Sequence, residues 1–194
     1  MSDVPRKNRN EIENIWITSK SRMNAEKRYR LYGIVSHLLV TYLAFLMIIT
    51  TIFGDALAPI VPFFPQINIS IAVALFSASL IVYGFRYDET ARAHRDCYLR
   101  LQRLLSTSHD DPKIIEKYHE ILGGYPNHSP RDYEDLVIER TFLKTEGLRN
   151  AEGNVQWTYP MLVRRLGRWF FFWGAVVTII VFPASLLITP WMMS

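Results

Sequence analysis

The sequence predicts an all-α membrane protein: a two-helix transmembrane hairpin plus a third C-terminal transmembrane helix, with a cytoplasmic helical extension of the second span. Hydrophobic residues make up 49% of the 194 residues, yet the mean hydropathy is only +0.06. Apolar and charged side chains therefore occupy different parts of the chain. Three long runs contain no Asp, Glu, Lys or Arg, and the charged stretches between them have a helical periodicity.

The three uncharged runs cover residues 31–53, 67–85 and 170–193. A helix needs roughly 20 mostly apolar residues to cross a bilayer, so we predict transmembrane helices 1, 2 and 3 there. The alternative, a helix buried inside a soluble protein, rarely stays uncharged over such a length. We expect Pro183 to kink the third helix rather than end it, because neighbouring helices can satisfy the carbonyl that it frees.

Basic residues predict the orientation, because the cytoplasmic flanks of membrane spans are rich in Lys and Arg. The flanking basic residues are Lys20, Arg22, Lys27, Arg28 and Arg30 before span 1, Arg86, Arg92, Arg95, Arg100 and Arg103 after span 2, and Arg164, Arg165 and Arg168 before span 3. The Pro-rich loop 54–66 has none. We predict a multi-pass membrane protein with a cytoplasmic N-terminus, an external loop 54–66, a cytoplasmic region 86–169 and an external C-terminus.

The N-terminal segment 1–30 is predicted to be a cytoplasmic, basic, amphipathic helix. It carries 8 basic and 4 acidic side chains, and its polar start leads us to expect no cleaved signal peptide. Attraction to anionic lipid explains its charge beside the membrane. Residues 86–168 are almost neutral, with 14 basic and 13 acidic side chains, which argues against direct nucleic-acid binding.

Residues 86–105 contain no Pro or Gly, so we expect the second span to continue as an unbroken helix into the cytoplasm. Its apolar seam has alternating steps of three and four residues, a spacing that places one helix face against a partner. The seam consists of Tyr87, Ala91, His94, Tyr98, Leu101 and Leu105. We interpret it as a rod that couples a cytoplasmic assembly to the bilayer; the alternative is ordinary packing in a helical bundle.

Two shorter helices are predicted to follow the rod. One is expected to begin with Asp111 as N-cap and Pro112 in its first turn, and to end at Gly123-Gly124. The other is expected to begin at Ser129, with Asp132 completing a capping box, and to end near Gly147. We predict that residues 147–159 form a loop that leads back to the membrane.

The sequence contains no pattern typical of an enzyme, such as a phosphate-binding Gly-rich loop or a serine nucleophile elbow. The best metal candidate is His94 with Cys97, joined by His119 or His128, but one cysteine with scattered histidines is a poor zinc pattern. We interpret His94 as a packing residue. No catalytic residue, metal site or cofactor is predicted, and we expect the protein not to be an enzyme.

Polar residues inside the spans predict where helices join or a pore is lined. In span 2, Ser70, Ser77 and Gly84 recur every seven residues as a small face. In span 1, His37 and Thr41 share a face. Three spans cannot enclose a water channel alone, so a pore requires a homo-oligomer, with Asp55 as an acidic ring at its outer mouth. The alternative role for Asp55 is an ordinary turn residue.

The sequence resembles the SLATT family, the SMODS- and SLOG-associating two-transmembrane effectors of bacteria. The resemblance rests on "IWITSKSRMNAEKRYRLYG" before the first span, on "YDETARAHRDCYLRLQRLL" after the second, and on "YHEILGGYPNHSPRDYEDL". The last motif, with Asn127, His128, Asp132 and Tyr133, is the most distinctive and resembles the reverse-transcriptase-associated subfamily. A third span departs from the family's two-span pattern.

This resemblance implies a membrane effector of a bacterial antiviral system of the abortive-infection type. Such an effector would permeabilise the inner membrane as a pore-forming oligomer when a signal arrives. The implied partners are the lipid bilayer, further copies of the chain, and a cytoplasmic reverse transcriptase or nucleotide second-messenger synthase. The alternative is a non-conducting membrane scaffold that recruits a cytoplasmic partner through its helical extension.

Overall fold

The structure is a computed structural model that describes the backbone of residues 6–107, 113–150 and 153–192, and the side chains of residues 11–107, 113–150 and 153–185. Its elements are α1 (Arg6–Ile52), α2 (Gly54–Leu57), α3 (Phe64–Phe85), α4 (Tyr87–Thr107), α5 (Ile114–Gly123), α6 (Pro130–Ile138), a π-helical turn (Glu139–Leu143), β1 (Leu148–Asn150), β2 (Gly153–Val155) and α7 (Tyr159–Met192). The predicted all-α membrane class is confirmed. The predicted cap of α5, Asp111 with Pro112, lies outside the described residues.

The described chain divides into two compact units. The polar unit holds the described residues up to Arg30 and those of the range Asp88–Gly167, and the apolar unit holds the range Leu31–Tyr87 and the described residues from Arg168 on. Among the described residues, three helices are long and apolar enough to cross a membrane, and they include the apolar parts of α1, α3 and α7. Each apolar stretch matches an uncharged run of the sequence, because only such runs can forgo contact with water.

The unbroken helix expected between the second span and α4 is interrupted. Arg86 adopts a left-handed backbone with φ 45° and ψ 46°, so α3 ends at Phe85 and α4 begins at Tyr87. Sequence reasoning missed this break because Arg is a good helix former, and because Gly84, two residues before it, was interpreted as part of a small packing face. The helix that runs without interruption from a charged segment into an apolar one is α1, from Arg6 to Ile52.

Two further segments differ from the prediction. Residues 147–159, expected to be a loop, contain the antiparallel pair of β1 and β2, with Leu148 opposite Val155 and Asn150 opposite Gly153. Each strand has only three residues, too short to produce a periodic signal. The second apolar helix begins at Phe64, three residues before the predicted start, with Pro65 in its first turn.

The polar unit has two apolar clusters. In one, Ile15 of α1 packs with Cys97 and Leu101 of α4 and with Ile114 of α5. In the other, Ile17 packs with Leu136 and Val137 of α6 and with Leu148 of β1, while Met161 of α7 lies against them. Ile15 and Ile17 lie on different sides of α1. This helix is therefore packed on both sides, which places its polar residues at the centre of the unit.

Helix α7 continues through Pro183 as predicted. The Tyr42 hydroxyl donates to the backbone oxygen of Ile180 at 2.7 Å, one residue from the carbonyl that Pro183 leaves without its helical donor. This bond joins α1 to α7, but it does not replace the donor that the Ile179 carbonyl loses to Pro183, because its acceptor is Ile180. Inside the hairpin, the buried Thr50 hydroxyl donates to Asn68 Oδ1 at 2.8 Å and joins α1 to α3.

Candidate functional site

The centre of the polar unit is a buried ion pair between α1 and α6. Arg28 Nε and Nη2 donate to the two carboxylate oxygens of Asp132, each at 2.9 Å, and Asp132 is fully buried. Asn24 Nδ2 adds a bond to the backbone oxygen of Asp132 at 3.2 Å. Burial by itself lowers the pKa of Arg28, but the hydrogen bond and charge of Asp132 raise it above the ordinary value. The two hydrogen bonds give the pair a fixed, forked geometry.

The local sequence fixes where Asp132 points. Ser129 and Pro130 start α6, and the Ser129 backbone N–H donates to Asp132 Oδ2 at 3.0 Å, while Ser129 Oγ accepts from the Arg131 backbone N–H at 3.4 Å. This is the predicted capping box. Asp132 therefore caps its own helix and binds Arg28 of α1 with the same carboxylate, so helix start and helix docking depend on one side chain.

A second polar layer lies around Arg22, which is fully buried. Its Nη1 donates to the backbone oxygen of Pro126 at 2.6 Å and so holds the segment that precedes α6. His94 of α4 stacks on Tyr29, with ring centroids 5.5 Å apart and planes 13° from parallel. Burial, and then the charge of Arg22, lowers the pKa of His94 to about 4 and also lowers the pKa of His128. Both imidazoles are therefore neutral at pH 7.

Three atoms of this layer, Arg22 Nε, His94 Nδ1 and His128 Nδ1, are buried without a hydrogen-bond partner among the residues that the structure describes, and Ser21 Oγ of α1 is another such atom. A buried polar atom left unpaired costs about 1–3 kcal/mol. These unpaired atoms therefore lower the free energy of unfolding of the polar unit. The layer offers hydrogen-bond donors and acceptors without an activated nucleophile.

The distinctive motif of the sequence is divided by the fold. Asp132 and His128 point into the polar centre, Asn127 is exposed, and Tyr133 packs beside Ile17. Sequence reasoning missed their partners on α1, Arg22 and Arg28, which it interpreted only as topology signals. A usable signal existed for Arg22, because Ile15, Ser19 and Arg22 follow the 4–3 spacing of a buried helix stripe.

The predicted rod seam lies on the inner side of α4. Ala91, His94 and Leu101 are buried, whereas Tyr98 and Leu105 are half-buried. Tyr87, which is half-buried in the apolar unit, stacks on Phe85. The seam thus includes a polar member, His94, at the centre of the unit. A coupling role for the seam stays a prediction.

The small face of the second span is uncovered within the chain. Ser70, Ser77 and Gly84 are exposed, and a Cβ built on Gly84 meets nothing within 4 Å. The opposite side of α3 is the one that packs, with Phe64 and Ile71 buried. Ser70 Oγ donates to the Gln66 backbone oxygen at 2.8 Å, which lowers the cost of placing its hydroxyl in lipid.

The other predicted membrane residues are also exposed. Thr41 Oγ1 donates to the backbone oxygen of His37 at 2.9 Å, so these two residues are joined along one face of α1. Asp55 is exposed on the short helix α2. Asn68, which sequence reasoning passed over, is the intramembrane polar residue that pairs with the buried Thr50. Among the described residues, no three His, Cys, Asp or Glu side chains are grouped as a metal site requires.

Residues 5–193 match the protein family described as SMODS and SLOG-associating 2TM effector domain family 5. The chain belongs to this family. Neither a curated protein nor a solved structure matches it. Membership in the SLATT family makes the chain a membrane effector domain, and it assigns the chain to no known class of enzyme. The match includes the polar centre, the uncovered face of α3 and the whole of α7.

This SLATT chain has one helix more than the two transmembrane helices in the family description, since α1, α3 and α7 all contain a candidate span. Its polar unit also has a cleft of about 580 Å³ next to the apolar core, lined by Trp16, Arg140 and Arg149. The Arg140 guanidinium lies 4.6 Å from the centroid of the Trp16 ring. Such a cleft has the size and the mixed chemistry of a site that accepts a peptide side chain or a small polar molecule.

Proposed function

We propose that this SLATT chain is a membrane effector of a bacterial antiviral system, which assembles in the inner membrane and permeabilises it when a cytoplasmic signal arrives. The observation that carries the proposal is the small polar face of α3, formed by Ser70, Ser77 and Gly84 and left uncovered by the chain itself. Small residues at regular spacing on a membrane helix allow another helix to approach closely. Because three spans cannot enclose a channel, several copies are needed.

The trigger acts on the polar unit in this proposal. The unit is held by a charged pair, Arg28 with Asp132, beside a layer of neutral buried histidines. The unpaired polar atoms make this arrangement less stable than a fully hydrogen-bonded one. A partner or ligand therefore needs less binding free energy to rearrange the centre. A reverse transcriptase or a nucleotide second-messenger synthase encoded nearby is the proposed source of the signal. The proposed orientation places the polar unit in the cytoplasm, where that signal arises.

The test is membrane potential in bacteria that express the chain alone or together with its neighbouring gene product, followed with a potential-sensitive dye. Ser77→Leu is expected to weaken assembly and depolarisation, because a large side chain blocks close approach at a helix contact worth about 1 kcal/mol. Ser79→Leu is the matched control, since Ser79 is also exposed and donates to its own helix but lies on another side of α3.

Equal depolarisation by the wild type, the Ser77→Leu variant and the Ser79→Leu variant would refute the role of this face. The second candidate is a non-conducting scaffold, favoured by the cleft that Trp16 and Arg140 line. A normal potential with and without the neighbouring protein, combined with capture of that protein at the membrane, would favour the scaffold.

A further inference from the structure

We propose that the outer edge of β1 is a docking site for an extended segment of a partner protein, in which an acidic residue stands between two apolar residues. The site, called here the β1 edge, consists of the outward backbone groups of Arg149 and the cleft of about 580 Å³ beside them. This inference rests on the proposed function, in which a cytoplasmic partner acts on the polar unit, and it names the kind of segment by which that partner binds.

The register of the hairpin leaves one backbone donor and one backbone acceptor of β1 facing away from β2. Only two residues lie between Asn150 and Gly153, and a pair that closes so short a loop is a hydrogen-bonded pair. The two kinds of pair alternate along an antiparallel ladder, so Arg149 and Asn154 form a non-hydrogen-bonded pair. The N–H and C=O of Arg149 therefore point to the outer edge of β1, and the structure shows no bond from either group to another described residue.

A largely apolar cleft lies beside this edge. Residues 147–149 form one side of it, and Ile12, Trp16 and Leu105 form the other. Ile12 and Leu105 pack against the first apolar cluster of the polar unit, whereas Trp16 packs against the second, to which Leu148 belongs. The cleft therefore lies at the boundary between the two clusters, and an apolar side chain placed in it would contact both.

Strand alternation decides where each side chain of a docked segment points. Leu148 is 5% exposed and points into the polar unit, so its strand neighbour Arg149 points to the outer face of the hairpin. There Arg149 Nε donates to Asn154 Oδ1 at 2.9 Å. A partner residue directly opposite Arg149 also points to the outer face, and its two neighbours point toward the cleft. The segment that fits therefore has one residue matched to Arg149 between two apolar residues.

Charge decides which residue stands opposite Arg149. The Arg149 side chain is exposed and is paired with no carboxylate among the residues that the structure describes. The other cation of the cleft, Arg140, already pairs with Glu146 and lies over the Trp16 ring. Opposite charges directly across a sheet stabilise the strand pair, and like charges destabilise it. An acidic residue therefore fits this position and a lysine does not.

The same features argue against other occupants of the site. A phosphate group, whether free or in a lipid, offers mainly acceptors, whereas the Arg149 carbonyl requires a donor. Glu13 on the wall of the cleft opposes a free anion further. A peptide backbone supplies a donor and an acceptor at strand spacing, which is the way in which proteins bind a segment by strand addition. An extended peptide is therefore the occupant that matches the β1 edge.

Fluorescence anisotropy of labelled peptides, with the purified full chain in phospholipid nanodiscs, tests the inference. The probe has the core Thr-Val-Glu-Val-Thr, and the first control replaces its Glu by Lys. The second control, Val-Thr-Glu-Thr-Val, keeps the composition and the charge but moves both valines to the outer face. We expect each control to bind at least about tenfold more weakly, because the first loses the charge pair and the second loses the apolar contacts.

A charge reversal in the protein locates the bound peptide. Arg149→Glu should reverse the preference, so that the Lys peptide binds more tightly than the Glu peptide. Arg92→Glu is the matched control, since Arg92 is an exposed cation of the same unit but lies on α4 and does not line the cleft. This control should keep the preference of the wild type.

Methylation of the peptide backbone gives a second measurement that leaves the protein unchanged. A strand bonds to an edge only through alternate residues, so the glutamate and the valine that follows it should differ at least about tenfold in their sensitivity to N-methylation. Antiparallel docking makes the glutamate the more sensitive residue, and parallel docking makes it the valine.

The inference is overturned if the Glu peptide does not bind at about 1 mM, if the Glu and Lys peptides bind equally, or if the two methyl groups have equal effects. A wild-type preference in Arg149→Glu would overturn it as well. The outcome is separable from the proposed function. A β1 edge that behaves as expected in a protein that never depolarises cells would refute the pore and leave the docking site standing. Depolarisation of cells together with any of these failures would refute the docking site alone.

Discussion

The buried pair between Arg28 and Asp132 makes the sharpest prediction, because the chain contains a natural reporter of its opening. Cys97 is fully buried in the polar unit, next to Ile15 and Leu101. Burial also raises the pKa of its thiol, so the folded unit offers little reactive thiolate. The rate at which a maleimide labels Cys97 in intact membranes therefore measures how often the polar unit opens.

Asp132→Asn is the perturbation. It removes the charge that pairs with Arg28 while keeping an oxygen that can accept the capping bond from Ser129. Breaking a buried ion pair by removing one partner costs about 3–5 kcal/mol, and the retained cap places this variant near the lower end. At about 1.4 kcal/mol per factor of ten, a cost of about 3 kcal/mol corresponds to labelling that is roughly 150-fold faster.

Glu139→Gln is the matched control, because Glu139 pairs with Lys144 at 2.7 Å on the exposed surface of the same unit. An exposed pair contributes about 0–1 kcal/mol, so labelling should change by less than about fivefold. Arg28→Gln alone should resemble Asp132→Asn, and the double variant should cost less than the sum of the two, because neither buried charge is then left unpaired. Labelling of Asp132→Asn within fivefold of the wild type would refute the assigned role of the pair.

Two further variants test the histidine layer and the hairpin. The pKa of His94 lies near 4 in the folded protein, below its ordinary value of 6.5, so stability is complete above pH 6.5 and is lost as the pH falls toward 4. At pH 5 the loss is about 2 kcal/mol, and His94→Gln should flatten the dependence of the melting temperature on pH; an unchanged profile would contradict this. Thr50→Val should lower the melting temperature in detergent by removing the bond to Asn68, at a cost of about 1 kcal/mol. Thr51→Val should have no effect, since Thr51 is exposed and donates only to its own helix; equal shifts would show that the Asn68 bond contributes nothing.

The sequence by itself determined the membrane class and the positions of the three apolar helices. Absence of charge over some 20 residues is a local property, and it decides which segments can leave water whatever their neighbours do. The capping box of Ser129 and Asp132 was equally predictable, because its donor and acceptor lie three residues apart. The family was also recognisable from the sequence, because the motif around His128, which supports the resemblance, is contiguous in the chain.

Only the tertiary structure decided what the charged residues do. Arg22 and Arg28 look like topology signals in the sequence, yet they hold Pro126 and Asp132, about a hundred residues away, and no local pattern encodes such a pairing. The break falls at Arg86, a good helix former, and not at Gly84, and the hairpin of β1 and β2 is too short to have a period. The packing of the folded chain decides which distant residues pair. The sequence alone shows only which residues are able to form such pairs.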